Sequence, residues 1–145
     1  MELEHKRLLI VGGTSGFGQT VAGQAAAMGD HVQVIGHSRT HVVQAVGRLK
    51  AAGEVVTGTA LDAQNIQQLE AFFTMHPAFD HVLSFLGGTM GGGFLENSVA
   101  TIRQAIEDKF FANLPTGKGG GSPFKRPRFA HFYIRCGRAS SRCFR

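Results

Sequence analysis

Ile10-Val11-Gly12-Gly13-Thr14-Ser15-Gly16-Phe17-Gly18-Gln19 is the stretch whose reading decides the fold. It follows an apolar run, Leu8 to Val11, and opens a small-residue helical pattern from Thr20 to Met28. A strand, a glycine turn and a helix in that order build a cradle for phosphate. Gly12 lets the chain leave the strand in a tight turn, Gly16 leaves room for a pyrophosphate against the backbone, and Gly18 lets helix and strand pack closely. Amides of the first helical turn have no partner within the helix, and the helix dipole stands behind them, so they attract an anion. The glycines at 12, 16 and 18 are spaced G-x-x-x-G-x-G rather than the G-x-G-x-x-G of the commoner dinucleotide fingerprint. Taken alone, the run also fits a glycine-rich loop beside a buried strand.

Working outward, Phe17, Val21, Ala25 and Met28 fall at spacings of 4, 4 and 3, which is one helical stripe on a helix from Gly16 to Met28. Ala22, Gly23, Ala26 and Ala27 are small enough to let that helix sit close to a sheet, and Gly29 is a natural stop. Val32 to Gly36 reads as a second strand. Val42, Val43, Val46 and Leu49 give the inner face of a second helix ending near Gly53. Val55 to Thr59 is a third strand. Asn65 with Gln68 three residues on predicts a capped third helix with Ile66, Leu69, Phe72 and Phe73 facing inward. His76-Pro77 closes it, because a residue before proline resists the helical conformation. Asp80 to Gly88 holds a fourth strand and its exit loop. Thr89 to Phe94, rich in glycine, is either a loop beside a ligand or a plain surface connection. Asn97-Ser98 caps a fourth helix, on which Val99, Ile102, Ile106 and Phe110 recur at 3, 4 and 4. Asn113 extends that stripe toward the sheet, where a polar amide needs a partner.

The chain from about residue 6 to 118 resembles the short-chain dehydrogenase/reductase family, whose cofactor loop reads T-G-x-x-x-G-x-G. Val11 stands where the family usually has Thr. The resemblance implies an α/β fold, a Rossmann-like doubly wound parallel sheet in the order 3-2-1-4, shortened from the family's seven strands. Residues 1–118 are the NAD(P)-binding domain in this reading. It implies hydride transfer between a nicotinamide dinucleotide and a small alcohol or carbonyl of unknown identity. Gly12, Thr14, Ser15, Gly16, Phe17 and Gly18 are then cofactor-binding residues.

Residues just past the second strand choose between cofactors: an acid holds ribose hydroxyls and favours NAD, and a basic residue pairs with a 2′-phosphate and favours NADP. His37-Ser38-Arg39-Thr40 contains no acid. Arg39, helped by the Ser38 hydroxyl, is the expected partner of the phosphate, so NADP(H) is expected in preference to NAD. Family members often carry the basic residue a position or two earlier, so Arg39 must reach back, and a surface arginine near a helix start is the other reading. Asp62, followed by Ala63, matches the family aspartate that bonds the adenine amino group, or it only caps a turn. Ser84, Phe85, Leu86 and Gly87 stand where the family has Asn-Asn-Ala-Gly, and only the glycine survives. Asn113, in a setting similar to the family's relay asparagine, is the one catalytic candidate, or a structurally satisfied amide.

Past Lys118 the resemblance fails. The family next needs a fifth strand bearing a catalytic Ser, then Tyr-x-x-x-Lys on a helix, with Tyr exchanging the proton, Lys lowering its pKa and Ser steadying the carbonyl oxygen. Tyr133 is the single tyrosine, Gly137 stands four residues on, and no lysine follows Lys125. The expected outcome is therefore cofactor binding with turnover lost: a non-catalytic dinucleotide-binding remnant or an interaction module. Residues 119–145 show no helix or strand period and predict a basic, irregular tail. Shifted forward by one base, the codons of Ala130 to Cys136 are compatible with Leu-Thr-Phe-Thr-Ser-Gly, which looks like the family's fifth strand with its serine. The tail from about residue 119 then reads as a frameshifted end.

Charge divides the chain at the same place. The net +5 conceals 7 basic against 10 acidic side chains over residues 1–114, a net −3, and 8 basic with no acidic ones over 115–145. Arginines interleaved with Phe124, Phe129, Phe132, Tyr133 and Phe144 are the pattern of a nucleic-acid contact, the less favoured reading. Cys136 and Cys143 are too few for zinc without His131 and a further group, and no histidine is read as a metal ligand. At 145 residues the chain is one domain by length. It has no apolar run able to span a bilayer and no signal-peptide core at its start, so a cytoplasmic location without membrane contact is expected. Four strands would leave the fourth strand's outer edge bare, to be covered by the tail or by a partner chain, a second copy included. The frame reading is checked by sequencing the gene: an unbroken alternative frame with Tyr-x-x-x-Lys downstream is expected, and a stop codon there overturns it.

Overall fold

The computed structural model describes residues 5–51, 55–86, 96–109 and 129–132. The elements in order are β1 (Arg7–Val11), α1 (Gly16–Ala27), β2 (His31–Gly36), α2 (Arg39–Lys50), β3 (Val56–Ala60), α3 (Ile66–Met75), β4 (His81–Ser84), α4 (Val99–Lys109) and β5 (Phe129–Phe132). The strands form one parallel sheet in the order β3-β2-β1-β4-β5. The expected 3-2-1-4 order is present, with one strand added. Strand β1 is central because its residues are apolar on both sides. Leu8 and Ile10 enter one core with Ala22, Ala26, Val34 and Leu49, and Leu9 and Val11 enter the other with Ile35, Leu69, Phe72 and Val82. Helices α1 and α2 supply the first core and α3 the second, which is why the strand reads as a run without alternation.

At the amino end of the sheet two carboxylates fix the entry of β1. Asp30 accepts the Lys6 N–H and Asp80 the Arg7 N–H, each at 3.0 Å. They hold the backbone of β1 between the start of β2 and the start of β4, so the opposite, carboxyl end of the sheet is set in register by the same contacts.

The tail departs from its predicted irregularity. Phe129–Phe132 pair with β4 in parallel, from His81↔Phe129 to Ser84↔Phe132. The cause lies in β4 rather than in tail composition: an unpaired strand edge satisfies its amides and carbonyls with an extended segment that reaches it. The strand thus takes the cover expected at that edge.

Helix faces are the other correction, on α2, α3 and α4. On α1 small residues lie near the sheet as expected: Gly18, Ala22, Ala25 and Ala26 are buried, whereas Phe17 is 65 % exposed and Met28 54 %. A Cβ at Gly18 would fall on the Gly12 carbonyl oxygen, so α1 lies too close to the strand turn for large side chains to face inward. Helix α2 buries Val42, Ala45 and Leu49 and leaves Val43 exposed. Its approach is set by Gly58 on β3, where a Cβ would meet Val46 Cγ2 at 2.6 Å and Val42 Cγ1 at 2.7 Å. Helix α3 buries Leu69 and Phe72, while Ile66 in its first turn is exposed. Phe72 stacks on His76, whose Nδ1 lies 2.8 Å from the Phe72 carbonyl oxygen, so the residue that ends the helix also covers its core aromatic. On α4, Val99 is 75 % exposed and Ile106 is also exposed, so the apolar stripe predicted to face the sheet is not a buried face. Thr89 to Phe94, Phe110, Gly87 and Asn113 lie outside the described residues. No helix among the described residues is long and apolar enough to cross a membrane.

Phe72→Ala is expected to lower unfolding free energy by about 3–5 kcal/mol, because the ring fills a core cavity. Ile66→Ala, six residues earlier on the exposed side, is expected to change it by less than about 0.5 kcal/mol. Urea unfolding of the two variants checks the assignment of the α3 face.

Candidate functional site

The site lies at the carboxyl ends of β1, β2 and β4. Gly12 N–H donates to the Ile35 carbonyl oxygen at 2.9 Å, and Phe85 N–H donates to the Val11 carbonyl oxygen at 2.8 Å. The chain therefore leaves β1 held between both neighbours. Gly12 (φ 81) and Gly16 (φ 56) are in the left-handed region, where a side chain is strained. Gly13 is also required, since a Cβ there would come within 2.9 Å of Val34 Cγ1. Sequence reasoning assigned it no role, although the doubled glycine was the available signal.

Helix α1 begins differently from its neighbours. Ser38 accepts the His41 N–H at 3.4 Å on α2, Asn65 accepts the Gln68 N–H at 3.1 Å on α3, and Ser98 accepts the Thr101 N–H at 3.1 Å on α4. Ser15, the residue before α1, makes no side-chain cap. The positive end of this helix is left without the compensation that the other three receive from a side chain.

Beside it is a cavity of about 420 Å³ lined by Val11, Gly12, Thr14, Ser15, Ile35, Gly36, His37, Leu61, Asp62, Ala63, Gln64, Phe85 and Leu86. Its far wall is tied on by Leu61 N–H donating to the Gly36 carbonyl oxygen at 3.0 Å, which extends the β2–β3 ladder past the strand ends. The Asp62 turn is fully braced. Its Oδ1 accepts the Gln64 N–H, its N–H donates to Gln68 Oε1, both at 3.0 Å, and its carbonyl oxygen accepts the Asn65 N–H at 3.0 Å. The predicted reciprocal cap is thus displaced: Gln68 reaches back to Asp62 instead of to Asn65. The Asp62 carboxylate orders the turn, and Asp62 is among the residues that line the cavity.

Of the sequence-predicted residues, Gly12, Thr14, Ser15, Asp62 and Ala63 come together around this cavity. Gly16, Phe17 and Gly18 begin α1 at its edge. Ser38 is occupied as the cap of α2, and Arg39, the first residue of that helix, is exposed and not among the lining residues. Gly87 and Asn113 fall outside the described residues. His37 and Gln64 line the cavity and were given no role from sequence. Their only signal was position, directly after a strand end and two residues after Asp62.

A family model described as short chain dehydrogenase matches residues 6–113. The chain belongs to the short-chain dehydrogenase family. Similar solved structures include a short-chain type dehydrogenase/reductase from Mycobacterium ulcerans, 21% identical with a TM-score of 0.69, covering 82% of this chain and 46% of that one. L-Sorbose reductase from Gluconobacter frateurii, complexed with NADPH and L-sorbose, is 20% identical with a TM-score of 0.68 over 82% of this chain and 48% of that one. A citronellol catabolism dehydrogenase from Pseudomonas aeruginosa PAO1 is 19% identical, TM-score 0.68, over 81% and 50%. The chain spans about half the length of these dehydrogenases. No curated protein sequence matches it.

Gly18→Ala is expected to abolish dinucleotide binding and lower the melting temperature, since its methyl would meet Gly12 backbone. Gly47→Ala, on α2 with nothing within 4 Å of the added methyl, is expected to stabilise by about 0.4–1 kcal/mol and leave binding unchanged. Calorimetric melting and ligand titration of both variants check the pair.

Proposed function

We propose that this chain binds NADP(H) as the cofactor-holding part of a short-chain dehydrogenase acting on an alcohol or carbonyl. The observation that carries the reading is the uncapped start of α1, set against the glycine turn beside the cavity. The residues fit the group by their chemistry. Backbone at Gly12 to Gly18 suits the pyrophosphate, the Asp62–Ala63 wall suits adenine, and the cavity's position at the carboxyl end of a parallel sheet suits a nucleotide. Gly36 to Thr40 offers basic and hydroxyl groups and no carboxylate, which favours a 2′-phosphate over bare ribose hydroxyls. The NADPH complex of L-sorbose reductase accords with that choice.

Bound nicotinamide would supply or accept the hydride. This chain's own residues would hold and orient it, and Asn113, in this reading, would order a water in the proton relay. No residue pair in the sequence meets the Tyr-x-x-x-Lys requirement. Binding without turnover is therefore proposed for the 145 residues, with the substrate class defined only as alcohol or carbonyl. NADPH titration followed by fluorescence and by melting temperature tests this. Saturable binding with a raised melting temperature and no oxidation across a carbonyl panel is expected. Absence of binding overturns the reading, and steady turnover overturns its second half.

A further inference from the structure

We propose that the outer edge of β3 takes up an extended, acidic segment of another protein as an added strand. β3 ends the sheet. Val32 N–H donates to the Val55 carbonyl oxygen and Leu61 N–H to the Gly36 carbonyl oxygen, so the odd-numbered residues of β3 bond to β2. In a parallel ladder the residues between them turn their N–H and C=O groups the other way, which puts those of Val56, Gly58 and Ala60 on the outer edge. Edge strands ordinarily discourage further pairing with a charge, a proline or a bulge. Val56 to Ala60, Val-Thr-Gly-Thr-Ala, has neither charge nor proline, and each of its residues opposes one of β2 without a bulge. Thr57, Gly58 and Ala60 are exposed.

The two sides of that edge specify what fits. On one side the Thr57 hydroxyl donates to Gln33 Oε1, and Gln33 Nε2 donates to the Thr59 hydroxyl at 3.0 Å, a polar row that suits small hydroxyl residues. On the other side stands α2. Val42 and Val46 lie over Gly58, and Leu49 meets α1 at Gly23. Helical geometry carries Arg39, Val43 and Lys50 round from Val46 to the side away from α1, beyond the edge. All three are exposed, and Arg39 does not line the cavity. Arg39 and Lys50, at the two ends of the helix, are about 16 Å apart along its axis, with Val43 between them. Alternate residues of a strand share a face, and those at i and i+4 are about 13 Å apart. A segment with acid, apolar and acid at i, i+2 and i+4 therefore sets an aliphatic group against Val43 and a carboxylate near each cation. α2 holds Arg39, Arg48 and Lys50 and no acid. A second copy would bring those cations together, so the complementary occupant is an acidic strand of a different protein.

The test uses the full chain and a fluorescein-labelled peptide, Thr-Glu-Thr-Val-Thr-Glu-Thr, followed by fluorescence anisotropy. Saturable binding that weakens as salt rises is expected, and none for the same peptide with Lys in place of both Glu. Ala60→Pro removes an outward N–H that takes no part in the β2–β3 ladder, and is expected to weaken binding about tenfold or more. Lys50→Glu, on the exposed side of α2, is expected to weaken it about three- to tenfold. Circular dichroism verifies folding, and Lys50→Glu decides the matter if Ala60→Pro does not fold. Absence of binding overturns the inference, as does equal binding of the lysine peptide or binding that the folded variants leave unaltered. A dimer in sedimentation that Ala60→Pro dissolves and the acidic peptide does not would assign the edge to a second copy and overturn the acidic occupant.

Discussion

Contact between backbone and backbone at Gly12 and Gly18 is the constraint on which the rest of the structure depends. A helix normally stands off a sheet by the length of its side chains. Here the first turn of α1 rests on the strand turn itself, and a single methyl at Gly18 would meet a carbonyl oxygen. Two consequences follow. The helix end is brought to the carboxyl edge of the sheet, beside the cavity. The remainder of the helix is drawn in as well, so its buried face is Ala22, Ala25 and Ala26 and its larger residues turn outward. One steric fact thus sets both the place of the helix end beside the cavity and the composition of a core.

The cavity's other walls rest on backbone too. Ile35 and Gly36 carbonyl oxygens hold the glycine turn and the Asp62 turn, and Val11 holds Phe85. The ladder is thus carried by backbone, while the loop beyond β3 is braced by the Asp62 and Gln68 side chains. This is the usual division in open α/β sheets, where loops at the strand ends vary over a fixed ladder.

Much of this was legible in the sequence, for reasons that differ by element. The glycine spacing and the apolar β1 run announced strand, turn and helix, and Asn65 with His76-Pro77 bounded α3 correctly, because each signal is a local steric or hydrogen-bonding demand. Which face a helix buries is a different matter. Phe17 with Met28, Val43, Ile66 and Val99 with Ile106 all sit at good helical spacings and are exposed. A stripe counts size, whereas the sheet admits what fits, as Gly18 on α1 itself and Gly58 on β3 show. The strand at Phe129–Phe132 was illegible for a related reason: its conformation answers the open edge of β4 and leaves no period of its own. His37 lines the cavity and Arg39 does not, a difference that the order of residues after β2 does not reveal.

The cavity draws on chain segments near residues 12, 36, 62 and 85, joined through parallel pairings in which every closure spans a long loop. Such a topology has high contact order, and no contiguous piece of it makes the pocket alone. The register set by Asp30 and Asp80 at the far end must be complete before the near end has a shape. Occupancy of the pocket is consequently linked by mass action to the folding equilibrium of the whole sheet, and a saturating ligand would slow exchange of amides as remote as Lys6 and Arg7.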